Sequence, residues 1–306
     1  MVGEILLILM AVLVICLTWV MVYDSTHFEQ TCYVISDPKI RKRCKAAVIA
    51  DLHNQKYGRD NELLLEAIRK EKPDVVLLAG DILTARAGAK LDTALRFLEE
   101  LSKDYPIFYG EGNHEHRMRL YPKVYGDLAR QYEDGLKGFG LEIMKNQKRI
   151  LEETGICVTG AEIHQRFYKR FRHVPMEKEY LTELLGNPEK KYYQVLLAHN
   201  PDYFPEYASW GADLVLSGHV HGGVARIPVW NRGVLSPAMH FFPKYDGGLF
   251  REGNGAMILS RGLGSHTIPF RLFNPGELIF IEFISGAPEI KTLKRKANVI
   301  KYVRAF

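Results

Sequence analysis

The chain opens with an uninterrupted apolar block and then settles into short apolar runs separated by polar residues. Positions 5–23 carry no charged residue, enough for one helix to cross roughly 30 Å of hydrocarbon. The block reads as a single transmembrane helix. A cleaved secretory signal is the rival reading, disfavoured because no Lys or Arg precedes Ile5 and no clear small-residue cleavage site follows Tyr23. Further on, positions 31–35 alternate as a strand does, and 46–50 form a short apolar run ending at Asp51. Asp60 then stands as an N-cap for a helix over 61–71, where Leu63, Leu64, Ala67 and Ile68 share one face before Pro73 stops it. Positions 75–79 predict a buried strand, Leu91, Ala94, Leu95, Leu98 and Leu101 a second amphipathic helix, and 106–109 another strand.

The second half changes character, with strands expected at 141–144, 149–151, 156–159, 195–198, 214–216, 256–260 and 278–283 and fewer helices between them. The recurrence of strand, loop and helix indicates an α/β fold whose sheet is parallel at least in part. No internal repeat or low-complexity tract interrupts it. The expected division is a transmembrane anchor at 1–23, a juxtamembrane segment with a candidate first strand at 24–45, one catalytic domain at 46–285 and a basic C-terminal tail at 286–306.

Composition sharpens this only locally. The 306 residues, 47% hydrophobic and 25% charged, suit one large globular domain with an appendage and exclude a mostly disordered chain. Cys16 lies in the span, and Cys32, Cys44 and Cys157 have neither metal-ligand spacing nor a dense disulfide pattern. They demand no oxidising compartment. The net charge of +5 is concentrated in Lys39, Arg41, Lys42, Arg43 and Lys45 and in Lys291, Lys294, Arg295, Lys296, Lys301 and Arg304. Beside a bilayer such clusters suit anionic head groups, although for the tail a solvated surface is the plainer reading. Asp24 and Glu29 come first after the span. The positive-inside rule therefore acts only through the later basic run, leaning toward a cytoplasmic domain with the other face left open.

The chemistry lies where strands end. Asp51-Leu52-His53 sets two ligand-type side chains two residues apart, which in extended backbone would point them to one side. Gly80-Asp81 adds a carboxylate after the next strand, with a glycine that permits a sharp turn. Gly112-Asn113-His114-Glu115 follows a third strand, His199-Asn200 a fourth, and Gly218-His219-Val220-His221-Gly222-Gly223 a fifth. Taken singly, a capping aspartate or a surface histidine explains most of these elements. Their ordered recurrence on successive strand ends does not arise by coincidence.

In that order the residues resemble the calcineurin-like metallophosphoesterases. The segments 235–237, 242–245, 260–264 and 274–278 look like the membrane-associated bacterial branch with the YkuE-like and YaeI-like phosphoesterases. Val224 departs from the Gln that many YkuE relatives carry there. The Ser/Thr protein phosphatase pattern is absent, because Gly80-Asp81 continues as Ile82-Leu83-Thr84-Ala85. The resemblance implies a four-layer αββα sandwich of two mixed β-sheets flanked by helices, and a site for two divalent metal ions. Asp51, His53, Asp81 and His221 would hold the first and Asp81, Asn113, His199 and His219 the second, with Asp81 bridging. This donor mixture suits manganese, iron or zinc, with magnesium admissible. A shared hydroxide would attack phosphorus, while His114 serves as general acid or transition-state stabiliser and protonates the leaving oxygen. Glu115 would orient a metal-site loop or form a surface salt bridge. His116, His164, His173, His240 and His266 read as ordinary histidines.

One further stretch, Arg166, Phe167, Tyr168, Lys169, Arg170, Phe171, Arg172 and His173, interleaves cations with aromatics. It suggests contact with a membrane or a lipid-phosphate substrate through Arg166, Phe167, Lys169, Arg170, Phe171 and Arg172, the plainer alternative being aromatics packed down under surface cations. The expectation is a phosphoesterase partnered by the lipid bilayer and acting on a phosphate ester, a lipid-linked one among the candidates, with nucleic acid disfavoured. Rival readings are a phosphodiesterase of soluble nucleotides or nucleic acid, and a membrane-bound binding protein without turnover.

Overall fold

The computed structural model describes residues 1–169, 172–230, 232–236, 241–265 and 270–294. The first half runs α1 (Val2–Thr26), β1 (Phe28–Ser36), β2 (Cys44–Ile49), α2 (Glu62–Glu71), β3 (Val75–Leu78), α3 (Asp92–Ser102), β4 (Ile107–Gly110), α4 (Asn113–Leu120), α5 (Pro122–Tyr125), α6 (Leu128–Gly138) and β5 (Ile143–Met144). Then follow β6 (Lys148–Leu151), β7 (Ile156–Gly160), α7 (Tyr180–Leu185), β8 (Tyr193–Leu197), α8 (Phe204–Trp210), β9 (Leu214–Ser217), β10 (Arg226–Ile227), β11 (Arg232–Gly233), β12 (Gly248–Glu252), β13 (Gly255–Leu259), β14 (Gly276–Ile284) and β15 (Glu289–Lys294).

Two mixed sheets form the middle layers. One has seven strands in the order β15-β1-β14-β2-β3-β4-β5, the other six in the order β12-β13-β9-β8-β7-β6. β2 to β5 are parallel, as are β7, β8, β9 and β13, so the chain leaves β2, β3, β4, β8 and β9 into loops beyond their C-terminal ends. In sheets of this kind that edge is where ligands bind.

The period-two alternation of the strands sorts the core into three seams. Ala47, Ile49, Val76 and Leu78 face α2 and α3 through Leu64, Ile68, Phe97 and Leu98. Their neighbours Ala46, Val48, Val75 and Leu77 face the second sheet through Val195, Leu197, Leu214 and Leu216. Leu196, Val215 and Met257 on the far side pack on Leu181, Phe204 and Tyr207. The result is the helix, sheet, sheet, helix sandwich. Each fully buried side chain of this size contributes roughly 1.5–3 kcal/mol.

The candidate first strand of the juxtamembrane segment is β1, paired along its whole length with β14, and β15, at the start of the basic tail, pairs with β1. The expected helix cap needs correction. Asp60 does not cap α2: it has φ 52° within a short 3-10 turn, and Asn61 is the residue before the helix, its Oδ1 accepting from the Tyr57 amide at 2.9 Å. In the basic run Lys39 pairs with Asp213, Arg41 with Glu152, Lys42 with Glu153, Arg43 with Glu282 and Lys45 with Glu71. In the tail Lys291 pairs with Glu289, while Arg295, Lys296, Lys301 and Arg304 lie outside the described residues.

Candidate metal centre

The polar residues that follow the strand ends converge, but not by the extended geometry expected for Asp51 and His53. Both have positive φ, 51° and 50°, as do Asp81 at 56°, His219 at 74° and His221 at 55°. Left-handed backbone at residues other than glycine costs about 1–3 kcal/mol apiece and persists only where the surroundings enforce it. Here adjoining loops do so: the Asp51 amide donates to the Gly80 carbonyl at 3.0 Å, and that of His53 to Asp81 at 3.1 Å. Tight turns, rather than a pleat, aim these side chains inward.

Glu115 is the pin of this assembly. Its buried carboxylate accepts from the amides of Asp81 (3.0 Å), Ile82 (2.8 Å) and Gly112 (3.1 Å) and from the Tyr109 hydroxyl (2.7 Å). Of the two roles open to it in the sequence, it orients the loops. Gly112 admits no side chain, because a Cβ there would stand 2.2 Å from both the Asp81 amide nitrogen and Oδ1.

Within this frame Asp51 Oδ1 lies 3.5 Å from His221 Nε2, 3.8 Å from His53 Nε2 and 3.7 Å from His199 Nε2. Asp81 Oδ2 lies 3.1 Å from His199 Nε2 and 3.6 Å from His53 Nε2. Asp51, His53 and His221 form one group whose donor atoms approach closely enough for a single ion, and Asp81, His199 and His219 form another. Asn113 turns a buried Oδ1 without a hydrogen-bond partner, and Asp81 Oδ2 and His199 Nε2 are likewise buried without one. Buried polar atoms left unpaired are costly, and their clustering marks a place built for a cation.

The ring nitrogens make the same point. His199 Nδ1 sits 2.7 Å from the Ala79 carbonyl and His221 Nδ1 3.0 Å from that of Gly264. A carbonyl only accepts, so each Nδ1 carries the proton and each neutral ring turns an Nε2 lone pair toward carboxylates. His53 Nδ1 lies 3.1 Å from the Thr84 hydroxyl, a group that can donate or accept. Its Nε2 faces that of His221 at 3.2 Å. His114 is wired the opposite way. Its Nδ1 accepts from the Ala85 amide at 2.8 Å, so its Nε2 carries the proton, 3.9 Å from Asp81 Oδ2. Although near enough to join His53 and Asp81 around an ion, a neutral His114 offers a donor there, not a lone pair.

Without metal, protons mediate the same contacts. Burial pushes the Asp51 carboxyl up to about 7. Burial acts on Asp81 in the same sense, yet the imidazoles of His199, His114 and His53 hold it well below the usual carboxylate range. Burial opposes charge on His199, but Asp81 and Asp51 outweigh it and raise the ring to about 10.

The cation-aromatic stretch divides. Phe167 is buried in edge contacts with Tyr180 and Tyr203, and Arg166 pairs with Glu177 at 2.6 Å. Phe167 is therefore packed in the core, and Arg166 carries an ion pair at its edge. Lys169 and Arg172 are exposed, and Arg170 and Phe171 lie outside the described residues. The residue missed is Tyr168, whose ring stands 5.4 Å from that of His219; only its place in an aromatic run could have flagged it. His116 joins Glu111 at 3.7 Å beside Arg119, which already neutralises Glu111 and Glu162. His164 and His173 are exposed, and His240 and His266 lie outside the described residues.

The family model described as calcineurin-like phosphoesterase matches residues 44–223, a span that contains every residue of both ligand groups. The chain belongs to the calcineurin-like phosphoesterase family. An uncharacterized metallophosphoesterase of Aquifex aeolicus is 26% identical to it over 87% of this chain and 92% of its own. The metallophosphoesterase YkuE of Bacillus subtilis is 24% identical over 76% of this chain and 77% of its own. The phosphodiesterase YaeI of Escherichia coli is 26% identical over 72% and 75%. As a member of this family the protein is a metal-dependent phosphoesterase, and its clustered aspartates and histidines fit divalent ions.

Proposed function

We propose that the protein hydrolyses a phosphate ester at a membrane surface, with Asp51, His53, Asp81 and His221 holding one divalent cation and Asp81, Asn113, His199 and His219 a second. The observation that carries the ligand assignment is the wiring of the imidazoles: His199 and His221 commit Nδ1–H to backbone carbonyls, leaving lone pairs beside carboxylates. Imidazole, carboxylate and amide together suit manganese, iron or zinc. When bound, such a pair of cations activates a water and neutralises charge on the phosphoryl oxygens.

The protein's own groups do the remaining work. Asp81 would be shared by the two cations. Glu115 keeps the Asp81 and Asn113 loops at fixed separation. His114, with Nε2–H directed into the site, donates a hydrogen bond to a phosphoryl or leaving-group oxygen as charge develops there. Of the two roles the resemblance allows, this is the stabiliser, since the Ala85 amide occupies the nitrogen that an imidazolium would need to protonate. Tyr168 covers His219 on the substrate side.

The membrane reading rests on α1, whose apolar stretch has a mean hydropathy of 3.1 and no buried residue. It serves as an anchor and confines the enzyme to substrates within its reach, a lipid-linked phosphate or pyrophosphate foremost. A metal-supplemented assay of monoester, diester and lipid pyrophosphate substrates tests this, with Asp81→Ala as the blank. Preferential hydrolysis of the lipid esters is expected. Turnover of soluble nucleotides alone would favour a soluble-nucleotide phosphodiesterase, and full metal occupancy without hydrolysis of any ester would point to a binding protein.

A further inference from the structure

Beyond the metal centre, the segment after His221 builds an aromatic ribbon that catalysis does not require. The Leu272 amide donates to the Val224 carbonyl at 3.2 Å and the Arg226 amide to Leu272 at 3.0 Å. On the other side Val224 and Val234 donate to Leu235 and Ala225, and Phe242 donates to Val234. Short segments around 272, 225, 234 and 242 thus lie side by side, and β10 and β11 close a hairpin at one end. From this unit Val229 and Trp230 at the hairpin tip stand 88% and 72% exposed, Phe241 71%, and Phe242, Phe270 and Phe273 are exposed as well. Phe242 and Phe273 keep positive φ, 47° and 53°, which is unfavourable for an aromatic residue. Two of the exposed phenylalanines thus stand on strained backbone.

The ribbon is fastened to the end of α1. The Asn274 amide donates to the buried Asp24 carboxylate at 2.8 Å and that of Arg271 to Ser25 Oγ at 3.3 Å. Leu17, Val20, Met21, Tyr23 and Ser25 are partly covered and Asp24 is buried around the last turns of α1, so the helix end lies on the domain. The same Asn274 side chain donates to the His221 carbonyl at 2.8 Å and also to that of Gly223. One loop thus joins the helix end, the aromatic ribbon and a metal-site histidine.

We propose that this ribbon docks on the bilayer that α1 enters. Val229, Trp230, Phe241, Phe242, Phe270 and Phe273 would sit in the head-group region, with the exposed Lys244 beside anionic lipid. Tryptophan and a nearby cation are favoured at that depth. Continuity with α1 selects lipid as the occupant. Docking fixes the height of His221 above the interface and presents the metal centre to phosphates of lipid head groups, an inference that rests on the membrane reading of α1 above.

The test uses the full chain carrying Trp19→Phe, in vesicles of phosphatidylcholine and phosphatidylglycerol with lipid brominated near the head group. Trp210 is buried and serves as the unquenched reference. Quenching of Trp230 emission that disappears in Trp230→Phe is expected. Adding Val229→Asp and Trp230→Asp should slow hydrolysis of a vesicle-borne phosphate ester by at least about tenfold, from the lost apolar burial, while turnover of soluble bis(p-nitrophenyl) phosphate stays unchanged. Trp230 unquenched in protein that resists carbonate extraction overturns the docking and leaves the anchor standing, and a second copy covering the ribbon would then appear as a dimer abolished by Trp230→Asp. Release by carbonate overturns the anchor and the docking with it. Quenching together with hydrolysis of soluble esters alone supports the docking and removes the lipid substrate.

Discussion

His199 and His114 both turn Nε2 toward the same Asp81 carboxylate oxygen, at 3.1 and 3.9 Å, and differ in what their far nitrogen meets. The Ala79 carbonyl leaves His199 a lone pair facing the carboxylates, whereas the Ala85 amide leaves His114 a proton facing them. In the proposed assignment one backbone atom thus separates a ligand from a hydrogen-bond donor, and residue type alone would not. His221 is wired like His199.

The comparison can be broken most severely at its shared partner. Asp81→Ala removes the bridging carboxylate, and both metal content and turnover should fall to background, as elemental analysis beside an ester assay would record. His114→Ala should keep its metals and lose about 10²- to 10³-fold in kcat, the usual effect of deleting one donor to a developing oxyanion; an unchanged kcat would remove His114 from the reaction. Glu115→Gln is smaller. It sets an amide NH2 against backbone N–H groups, and thermal unfolding should report a loss of about 1–3 kcal/mol, with stability equal to the parent's as the contrary result. Proton release is the smallest effect. His199 is raised to about 10 without metal and must be neutral to bind it, so at pH 7 metal uptake should release protons, and the number should decline as pH rises toward 10. Calorimetry in buffers of different ionisation enthalpy measures this, and a release that grows with pH would contradict it.

Much of this was legible beforehand, for a definite reason. Ligands on parallel strand ends leave a trace in sequence, since an apolar run followed by Asp, His or Asn recurs wherever a strand feeds the site. What could not be read depends on contacts distant along the chain. The positive φ of Asp51 and His53, the pairing of β15 with β1 and the ion pairs that absorb Lys39 to Lys45 all require partners that no local pattern names. Glu115 was left between two roles because three backbone amides and a tyrosine decide it. The aromatic ribbon escaped notice because Trp230 and Phe241 read as ordinary core residues until their exposure is known.

The division of labour around Asp81 is tested most directly by counting metal in His114→Ala and His199→Ala side by side. Full occupancy in His114→Ala, with loss of at least one ion in His199→Ala, is the expected result. Loss of metal from His114→Ala, or full occupancy of His199→Ala, would contradict the assignment of ligand and donor by ring wiring.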